Sequence, residues 1–575
     1  MIFKSEQAEI LYPKAQTIWH WLFESGQAYT PPSASAPASE SPPPGFTNVS
    51  TKQHLSFADV KSHAAHLSST LVKLYSLREG DVTLIVSKNS IYFPIAALAS
   101  VRAGGIACGA SPEYNRDELS HALRLSKAKF LFVGPEVLDT ALLAAAACGL
   151  SRENVFLMDD GQRQRDDDNN HVRSIEELIV QASKFGDAAQ MPAWRLPPGK
   201  TNRDVCAYFG FSSGTTGLPK AVMVSHANVI AQCLQMRKVT AADHDKHLAA
   251  LPFYHITGLV HQFHLPILLN ANVYILPKFS LAVALGAVVE YQIKEVLLVP
   301  PILIQMVRQP ELIASYNLSH VRRFCSGAAP LSQEILTALE RMFPGTGFKH
   351  AYGMTESCSV LTIHPTTKYD YKYAHKVGQL VGSTELRIVD PATGQDCGID
   401  TPGELWARGP QVTMGYLDNA KATAETFDAD GFLHTGDVGT IDAEGFVSIT
   451  DRIKDLVKVK GIGVAPAELE DLLLGNPHVE DAAVCGIGDS HSGERPKAYV
   501  VLQDNAPPAE EAGKALLAFV KSKKARHKWL AEVEIVGSIP KSAAGKILRR
   551  KLRDGSAIES VAVVREDETR PQSKL

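Results

Sequence analysis

The alternation of short apolar runs with amphipathic helical patterns most constrains the fold of this chain. EVLLVP (295–300) and ANVYIL (271–276) have the length and composition of buried strands, and QEILTALERMF (333–343) has the apolar spacing of an amphipathic helix. Strands that alternate with helices are typical of layered α/β structures with largely parallel sheets. Because the chain has 575 residues, we expect two or more domains.

The sequence changes character near residue 451, where Lys and Gly become frequent. The residues that follow predict a compact set of elements: a helix at 466–475, strands at 480–487 and 497–502, and a helix at 508–525. We therefore predict a large N-terminal domain of layered α/β sheets over residues 1–452 and a small α+β domain over residues 453–553. Residues 554–575 are polar, and we expect a disordered tail there.

Composition argues against several classes of protein. The chain is 45% hydrophobic and 21% charged with a net charge of −4, and this balance argues against a dedicated nucleic-acid binder. Residues 248–277 lack Asp, Glu, Lys and Arg, but their three histidines and three prolines favour a buried core containing a site over a membrane span. The eight cysteines include no C-x-x-C pair, so the sequence indicates neither a disulfide framework nor a zinc site.

The stretch FSSGTTGLPK (211–220) is the first candidate binding site. Its glycines allow close backbone approach to a ligand, and such a loop can direct several N–H groups at an anion. The spacing differs from the P-loop pattern because no Gly-Lys-Ser/Thr closes it, and a polar surface turn is the simpler alternative. We interpret the stretch as a phosphate-binding loop formed by Ser212, Ser213, Gly214, Thr215, Thr216, Gly217 and Lys220.

Seven further motifs follow this loop along the chain. They are YHITG (254–258), SGAAP (326–330), AYGMTE (351–356), GEL (403–405), TGD (435–437), DRIK (451–454) and PKSAAGK (540–546). Together they resemble the adenylate-forming superfamily over roughly residues 50–553, above all its 4-coumarate–CoA ligase, acyl-CoA synthetase and firefly luciferase branch. The resemblance implies an ATP-dependent ligase that activates a carboxylic acid as an acyl-adenylate and then forms the CoA thioester. ATP, Mg²⁺ and CoA are the implied partners of the acid.

The resemblance implies a role for individual residues. It places Thr355 at the α-phosphate, Glu356 at Mg²⁺, and Asp437 and Arg452 at the ribose, while Lys546 stabilises charge developing during adenylation. The implied catalytic residues are Lys546, Thr355, Glu356 and His255. Beyond the loop, the implied ATP-binding residues are Ala328, Ala351, Tyr352, Thr355, Asp437, Arg452 and Lys546. The implied acid-binding residues are His255, Ile256, Thr257, Gly327 and Ala351.

Each of these residues also has a simpler interpretation. Asp437 follows Thr-Gly as turn residues do, and Glu356 could be an acid at a helix N-terminus. Lys546 could be a surface lysine, and His255 could be a hydrogen-bonded core histidine.

The second half-reaction implies a mobile small domain. By resemblance, Lys454 is the hinge about which this domain rotates, and Lys458, Lys460 and Gly461 approach CoA. Gly463 departs from the Gln that many such enzymes carry, which leaves the contacts of this loop open. Ala351 replaces a common glycine and Thr257 replaces an aromatic residue of coumarate ligases, so we expect an aromatic or medium-chain acid without identifying it.

Three alternatives to a CoA ligase remain: a luciferase-like monooxygenase, an adenylation unit that loads a carrier protein, and a nucleotide-binding regulator without catalysis. The absence of a carrier-serine motif after Lys546 weakens the second, and the presence of the motif residues weakens the third. The chain ends in Ser573-Lys574-Leu575, a tripeptide read by the peroxisomal import receptor, which predicts a peroxisomal location unless this terminus is accidental.

Overall fold

The computed structural model describes residues 1–29, 42–158, 172–212, 219–329, 331–452, 455–459, 462–489, 492–541, 547–555 and 559–566. Its α-helices are α1 (Ile18–Phe23), α2 (Phe57–Tyr75), α3 (Phe93–Arg102), α4 (Arg116–Ser126), α5 (Leu138–Ala147), α6 (Ile175–Ala182), α7 (His226–Lys238), α8 (Leu265–Leu269), α9 (Leu281–Tyr291), α10 (Pro300–Arg308), α11 (Pro310–Ala314), α12 (Gln333–Met342), α13 (Ala420–Thr426), α14 (Pro466–Leu474), α15 (Ala509–Lys523) and α16 (Arg549–Arg553).

The strands of the large N-terminal domain are β1 (Phe3–Lys4), β2 (Gly45–Asn48), β3 (His54–Ser56), β4 (Val82–Val86), β5 (Ile106–Ala110), β6 (Phe130–Val133), β7 (Val155–Leu157), β8 (Cys206–Ser212), β9 (Lys220–Ser225), β10 (Lys246–Ala249), β11 (Asn272–Ile275), β12 (Glu295–Leu297), β13 (Arg323–Ser326), β14 (Gly347–Met354), β15 (Ser359–Ile363), β16 (Gln379–Leu380), β17 (Glu385–Val389), β18 (Gly403–Arg408), β19 (Leu433–Ile441) and β20 (Val447–Arg452). The small C-terminal domain contains β21 (Val457–Val459), β22 (Ile462–Val464), β23 (Val479–Asp489), β24 (Gly493–Leu502), β25 (Glu532–Val536) and β26 (Ser560–Arg565).

Three sheets of the large domain combine parallel strands with an antiparallel edge. Their strand orders are β7-β6-β4-β5-β8-β9, β10-β11-β2-β3 and β12-β13-β14-β15-β16. A further sheet, β1-β17-β18-β19-β20, is antiparallel throughout. The prediction of layered α/β sheets is confirmed, and β11, β12 and α12 lie within the runs that predicted them.

The uncharged segment 248–277 is buried in the core of the large domain. Between β10 and β11 it forms a π-helix, Gly258–His264, in which every residue is buried, followed by α8. Such π-helical turns are frequent at functional sites. In the described ranges, no helix combines the length and the apolar character needed to cross a bilayer.

The small domain has the predicted α+β composition. Both predicted helices and both predicted strands occur, as α14, α15, β23 and β24. The expectation of a disordered tail from residue 554 is wrong for 560–565, because β26 pairs antiparallel with β25 and buries Val564. The sequence SVAVVR supplies the β-branched residues that favour a strand.

Candidate active site

The predicted phosphate-binding loop connects two antiparallel strands. Ser212, the last residue of β8, is paired with Lys220, the first residue of β9. Residues 213–218, which include the predicted Ser213, Gly214, Thr215, Thr216 and Gly217, lie outside the described residues. The Ser212 hydroxyl is buried and has no hydrogen-bond partner among the residues that are described. The Lys220 ammonium lies 4.6 Å from the centre of the Tyr416 ring.

Strand β14 leads to Thr355 and Glu356, the residues predicted to contact the α-phosphate and Mg²⁺. It carries Ala351 and Tyr352 and continues directly into a 3₁₀ turn, Thr355–Ser357. Gly210 on β8 allows this turn to approach, because a Cβ at that position would lie 2.9 Å from Thr355 Cγ2. Thr355 therefore packs against the strand that enters the phosphate-binding loop.

Glu356 is buried in the same turn. Its Oε1 accepts a hydrogen bond of 2.8 Å from the Tyr416 hydroxyl. Its carbonyl oxygen accepts from the backbone N–H and the hydroxyl of Thr413, at 3.0 and 2.9 Å. Burial and the Glu356 carboxylate raise the pKa of Tyr416, so the phenol keeps its proton and donates it. The Tyr416 bond orients the carboxylate, and the two Thr413 bonds hold the backbone of the turn.

Asp437 lies in the antiparallel sheet with both carboxylate oxygens engaged. The Tyr352 hydroxyl donates to Oδ2 at 2.7 Å, and Arg452 Nε donates to Oδ1 at 2.8 Å. Arg452 is the cross-strand neighbour of Asp437, which explains why DRIK and TGD meet. Burial acts to lower the pKa of Arg452, but the Asp437 charge raises it, so the guanidinium stays charged. Each oxygen retains a lone pair for a further donor.

One cleft encloses the residues predicted to bind the acid. It contains about 1140 Å³ of space not filled by atoms, part of it open to solvent. Of the predicted residues it is lined by His255, Ile256, Thr257, Gly327, Ala328, Ala351 and Tyr352. Ala328 adopts a left-handed φ of 71°, a conformation that costs about 1–3 kcal/mol outside glycine and clusters at functional sites.

His255 is neutral in this cleft. Burial lowers its pKa to about 4, and its Nδ1 accepts a hydrogen bond from the Thr257 N–H at 3.4 Å. The neutral ring therefore carries its proton on Nε2. The side chain is a cleft-lining donor rather than a histidine sealed in the core, although its catalytic role stays a prediction.

Comparison with known proteins identifies the family. Residues 36–417 match the family described as AMP-binding enzyme, and residues 468–546 match the AMP-binding enzyme C-terminal domain. The chain belongs to the AMP-binding enzymes. The motif-based prediction of the family is therefore confirmed.

Several similar proteins are CoA ligases. The peroxisomal OPC-8:0-CoA ligase 1 of Arabidopsis thaliana is 34% identical over 510 residues, covering 88% of this chain and 89% of that protein. The 4-coumarate–CoA ligase 2 of Oryza sativa subsp. japonica is 32% identical over 526 residues, covering 89% of each. The crystal structure of ATP-bound MatB from Rhodopseudomonas palustris superposes with a TM-score of 0.77 at 25% identity, covering 94% of this chain and 99% of that one. The predicted enzyme class, an acid–thiol ligase, is confirmed by these relatives.

Other predicted residues of this AMP-binding enzyme either fall outside the parts of the chain that the structure describes or lie in the small domain. Lys454, Lys460, Gly461 and Lys546 are outside the described residues. Lys458 is exposed on β21, where its backbone N–H donates to Glu494 Oε2 at 2.8 Å and Gly463 is its cross-strand neighbour. The described part of the predicted CoA segment thus lies on the antiparallel strands β21 and β22 of the small-domain sheet.

Sequence reasoning missed two groups of residues. Tyr416 contacts Glu356 from a segment with no recognisable polar pattern, so only the fold reveals it. A charged cluster of Glu295, Arg323 and Lys349 is buried on adjacent strands beside the cleft. Charged residues inside apolar strand patterns were a usable signal for this cluster.

Proposed function

We propose that this enzyme is an ATP-dependent ligase that joins an aromatic or medium-chain carboxylic acid to CoA through an acyl-adenylate. The observation that carries the proposal is the course of one strand. β14 runs along the cleft at Ala351, reaches Asp437 through Tyr352, and continues into the turn that carries Thr355 and Glu356. An acid in this cleft would point its carboxylate at a nucleotide bound across the end of that strand.

In the first half-reaction a carboxylate oxygen attacks the α-phosphorus of ATP, and the bond to the β-phosphate breaks to release pyrophosphate. The residues of the 212–220 loop hold the departing phosphates, and Asp437 accepts hydrogen bonds from the ribose hydroxyls. Thr355 donates to the α-phosphate. Lys546 stabilises the charge that develops between the acid and the α-phosphate, an electrostatic role that is worth several kcal/mol in comparable sites.

Glu356 is the proposed Mg²⁺ ligand. The described part of the chain contains no group of three or more His, Cys, Asp or Glu side chains suited to hold a metal. Mg²⁺ is commonly bound by one or two carboxylates together with substrate phosphates, so the single buried Glu356 carboxylate suits this ion. The ion would neutralise phosphate charge, while Tyr416 keeps the Glu356 carboxylate aligned.

In the second half-reaction the CoA sulfur attacks the acyl carbon, and the acyl carbon–oxygen bond breaks to release AMP. We propose that the small domain, residues 453–553 extended by β26, rotates about Lys454 against the large domain, residues 1–452. The rotation withdraws Lys546 and brings Lys458, Lys460 and Gly461 to CoA. A short hinge can absorb such a change in backbone angles.

The proposed location is the peroxisome. Ser573-Lys574-Leu575 matches the peroxisomal address, and one similar protein is named as peroxisomal. A fluorescent fusion at the N-terminus should be punctate with a peroxisomal marker, and deletion of the tripeptide should make it diffuse without reducing activity. Punctate fluorescence after the deletion would contradict this address.

The experiment that tests the function is pyrophosphate release against a panel of aromatic and medium-chain acids, with and without CoA. We expect acid-dependent release in both conditions and thioester only with CoA. Thioester should increase in step with AMP. Acid-dependent release without any thioester in the presence of CoA would contradict the ligase assignment.

A further inference from the structure

The inner end of the acid cleft contains buried charges that the proposed reaction does not use. Lys349 Nζ lies 3.1 Å from Glu295 Oε1, and Arg323 Nε lies 2.7 Å from Glu295 Oε2. These three side chains are 2%, 5% and 7% exposed in the order Lys349, Glu295, Arg323. Arg323 also pairs with Asp243. Glu295 and Lys349 line the same cleft as Gly327 and Ala351.

Histidines with unused hydrogen-bonding atoms surround this cluster. The rings of His244 and His247 are 4.0 Å apart, and both line the cleft. His244 Nδ1 and His247 Nε2 are buried and lack a hydrogen-bond partner among the described residues. A purely structural ion network does not require these open atoms, since buried polar groups left unpaired cost free energy. Their position in a cleft indicates a ligand that pairs with them.

The strand geometry gives the distance from the reacting end of the cleft. Lys349 and Ala351 are two residues apart on β14, so both face the cleft about 7 Å apart along the strand. Leu297, Cys325 and Lys349 are direct cross-strand neighbours on β12, β13 and β14. The polar end of the cleft therefore lies at the level of this row, about 7 Å from Ala351 along the strand. Because an extended chain advances roughly 3.5 Å for every three bonds, that depth corresponds to about six bonds.

The charges of the cluster are balanced without a ligand. Glu295 and Asp243 supply two negative charges, and Lys349 and Arg323 supply two positive ones. Burial acts to lower the pKa of Lys349, but Glu295 raises it, so the ammonium stays charged. Burial lowers the pKa of His244, of His247 and of His261, the last to about 3, so these rings are neutral at pH 7. A ligand carboxylate would therefore add an uncompensated buried charge.

We propose that this end of the cleft binds an uncharged hydrogen-bonding group, a hydroxyl or a carbonyl, that the acid carries about six bonds from its carboxylate. Lys349 donates to the oxygen of that group, and His247 offers a second partner. These two residues determine specificity without touching the reacting atoms. The inference rests on the proposed function, because it concerns the acid that the ligase activates.

The test compares acids that differ only at the far end. Hexanoate, 6-hydroxyhexanoate and hexanedioate form one set, and cinnamate, 4-hydroxycinnamate and 4-carboxycinnamate form the other. kcat/KM is measured from pyrophosphate release. In at least one set we expect the hydroxy acid to exceed both the plain acid and the dicarboxylate by about 10-fold or more, because a site with buried polar groups rejects a ligand that leaves them unpaired.

Two variants test whether His247 and Lys349 cause the preference for the hydroxy acid. His247→Leu leaves the Glu295–Lys349 pair intact, and the double variant Glu295→Gln with Lys349→Met removes both charges together, which avoids leaving one unpaired. Both should reduce the preference for the hydroxy acid at least 5-fold. His364→Leu, a buried histidine outside the cleft lining, is the control and should keep the wild-type ratio.

The outcomes separate the two proposals. Acid-dependent pyrophosphate release with no preference for either hydroxy acid, or a preference unchanged in both cleft variants, would overturn the inference while leaving the ligase assignment in place. A preference for a dicarboxylate would also overturn it, since the site would then recognise charge. Absence of release with every acid in both sets would count against the proposed function and the inference together.

Discussion

Asp437→Asn probes the ribose contact with little change in shape. In the structure Asp437 is 3% exposed, its Oδ2 accepts from Tyr352, and its Oδ1 accepts from Arg452. Asparagine keeps one acceptor oxygen but replaces the other with an amide that cannot accept. The substitution should therefore weaken the hold on the ribose while preserving the local backbone.

The magnitude follows from the hydrogen bonds at stake. A hydrogen bond to a charged group contributes about 1.5–3 kcal/mol, so two ribose hydroxyls are worth roughly 3–6 kcal/mol. Because asparagine retains one acceptor, we expect the lower value, about 3 kcal/mol or roughly 100-fold in kcat/KM for ATP. The free energy of unfolding should fall by only about 1 kcal/mol, since the Arg452 side chain is 30% exposed and water can solvate its charge.

The assay compares ATP with 3′-deoxyATP in the wild type and the variant. The wild type should prefer ATP. Asp437→Asn should lose most of that preference, because the asparagine binds the ribose 3′-hydroxyl too weakly to distinguish ATP from 3′-deoxyATP. Asp442→Asn, which disrupts the contact of 2.6 Å with Lys376 near the same sheet, is the matched control and should retain the preference. If Asp437→Asn discriminated between the nucleotides as strongly as the wild type, the ribose assignment would be wrong.

Three further predictions concern other parts of the site. Tyr416→Phe removes the donor 2.8 Å from Glu356 Oε1, so adenylation should slow by about 10-fold and require more Mg²⁺; an unaltered Mg²⁺ dependence would count against this positioning role. Lys546→Ala should reduce pyrophosphate release by about 10²–10³-fold, whereas Lys458→Ala should spare release and slow thioester formation; equal losses in both half-reactions would contradict the two-conformation scheme. The pKa of His255 and that of His264 are lowered to about 4 by burial, so the unfolded chain binds more protons between about pH 4 and 6.5. The free energy of unfolding should then rise with pH across that window, by up to about 1.4 kcal/mol per pH unit for each ring, and denaturant titrations showing no such rise would refute the burial of neutral rings.

The sequence predicted the parts of this protein that local patterns encode. β11, β12, α12 and the small-domain elements follow from apolar spacing, because each is a short element with one clear period. The tail was misjudged since SVAVVR forms a strand only by pairing with β25. A pairing partner more than twenty residues distant is not visible in local composition.

In the candidate site, too, local motifs predicted some residues, while contacts between distant parts of the chain could not be predicted. Motifs indicated which residues belong together, and His255, Gly327 and Ala351 all line one cleft, while their binding of the acid stays a prediction. The Tyr416–Glu356 bond joins residues 60 positions apart, and no spacing rule predicts it. The charged lining of Lys349 and Glu295 depends on the register of β12, β13 and β14, which fixes the face on which each side chain lies.

The passage of one oxygen atom tests the acyl-adenylate route most directly. The acid is supplied with ¹⁸O in its carboxylate, together with ATP and CoA, and the products are separated for mass spectrometry. If the carboxylate attacks the α-phosphorus and CoA then displaces AMP at the acyl carbon, each AMP should carry one ¹⁸O and the pyrophosphate none. AMP without label, or ¹⁸O in pyrophosphate or inorganic phosphate, would contradict the route.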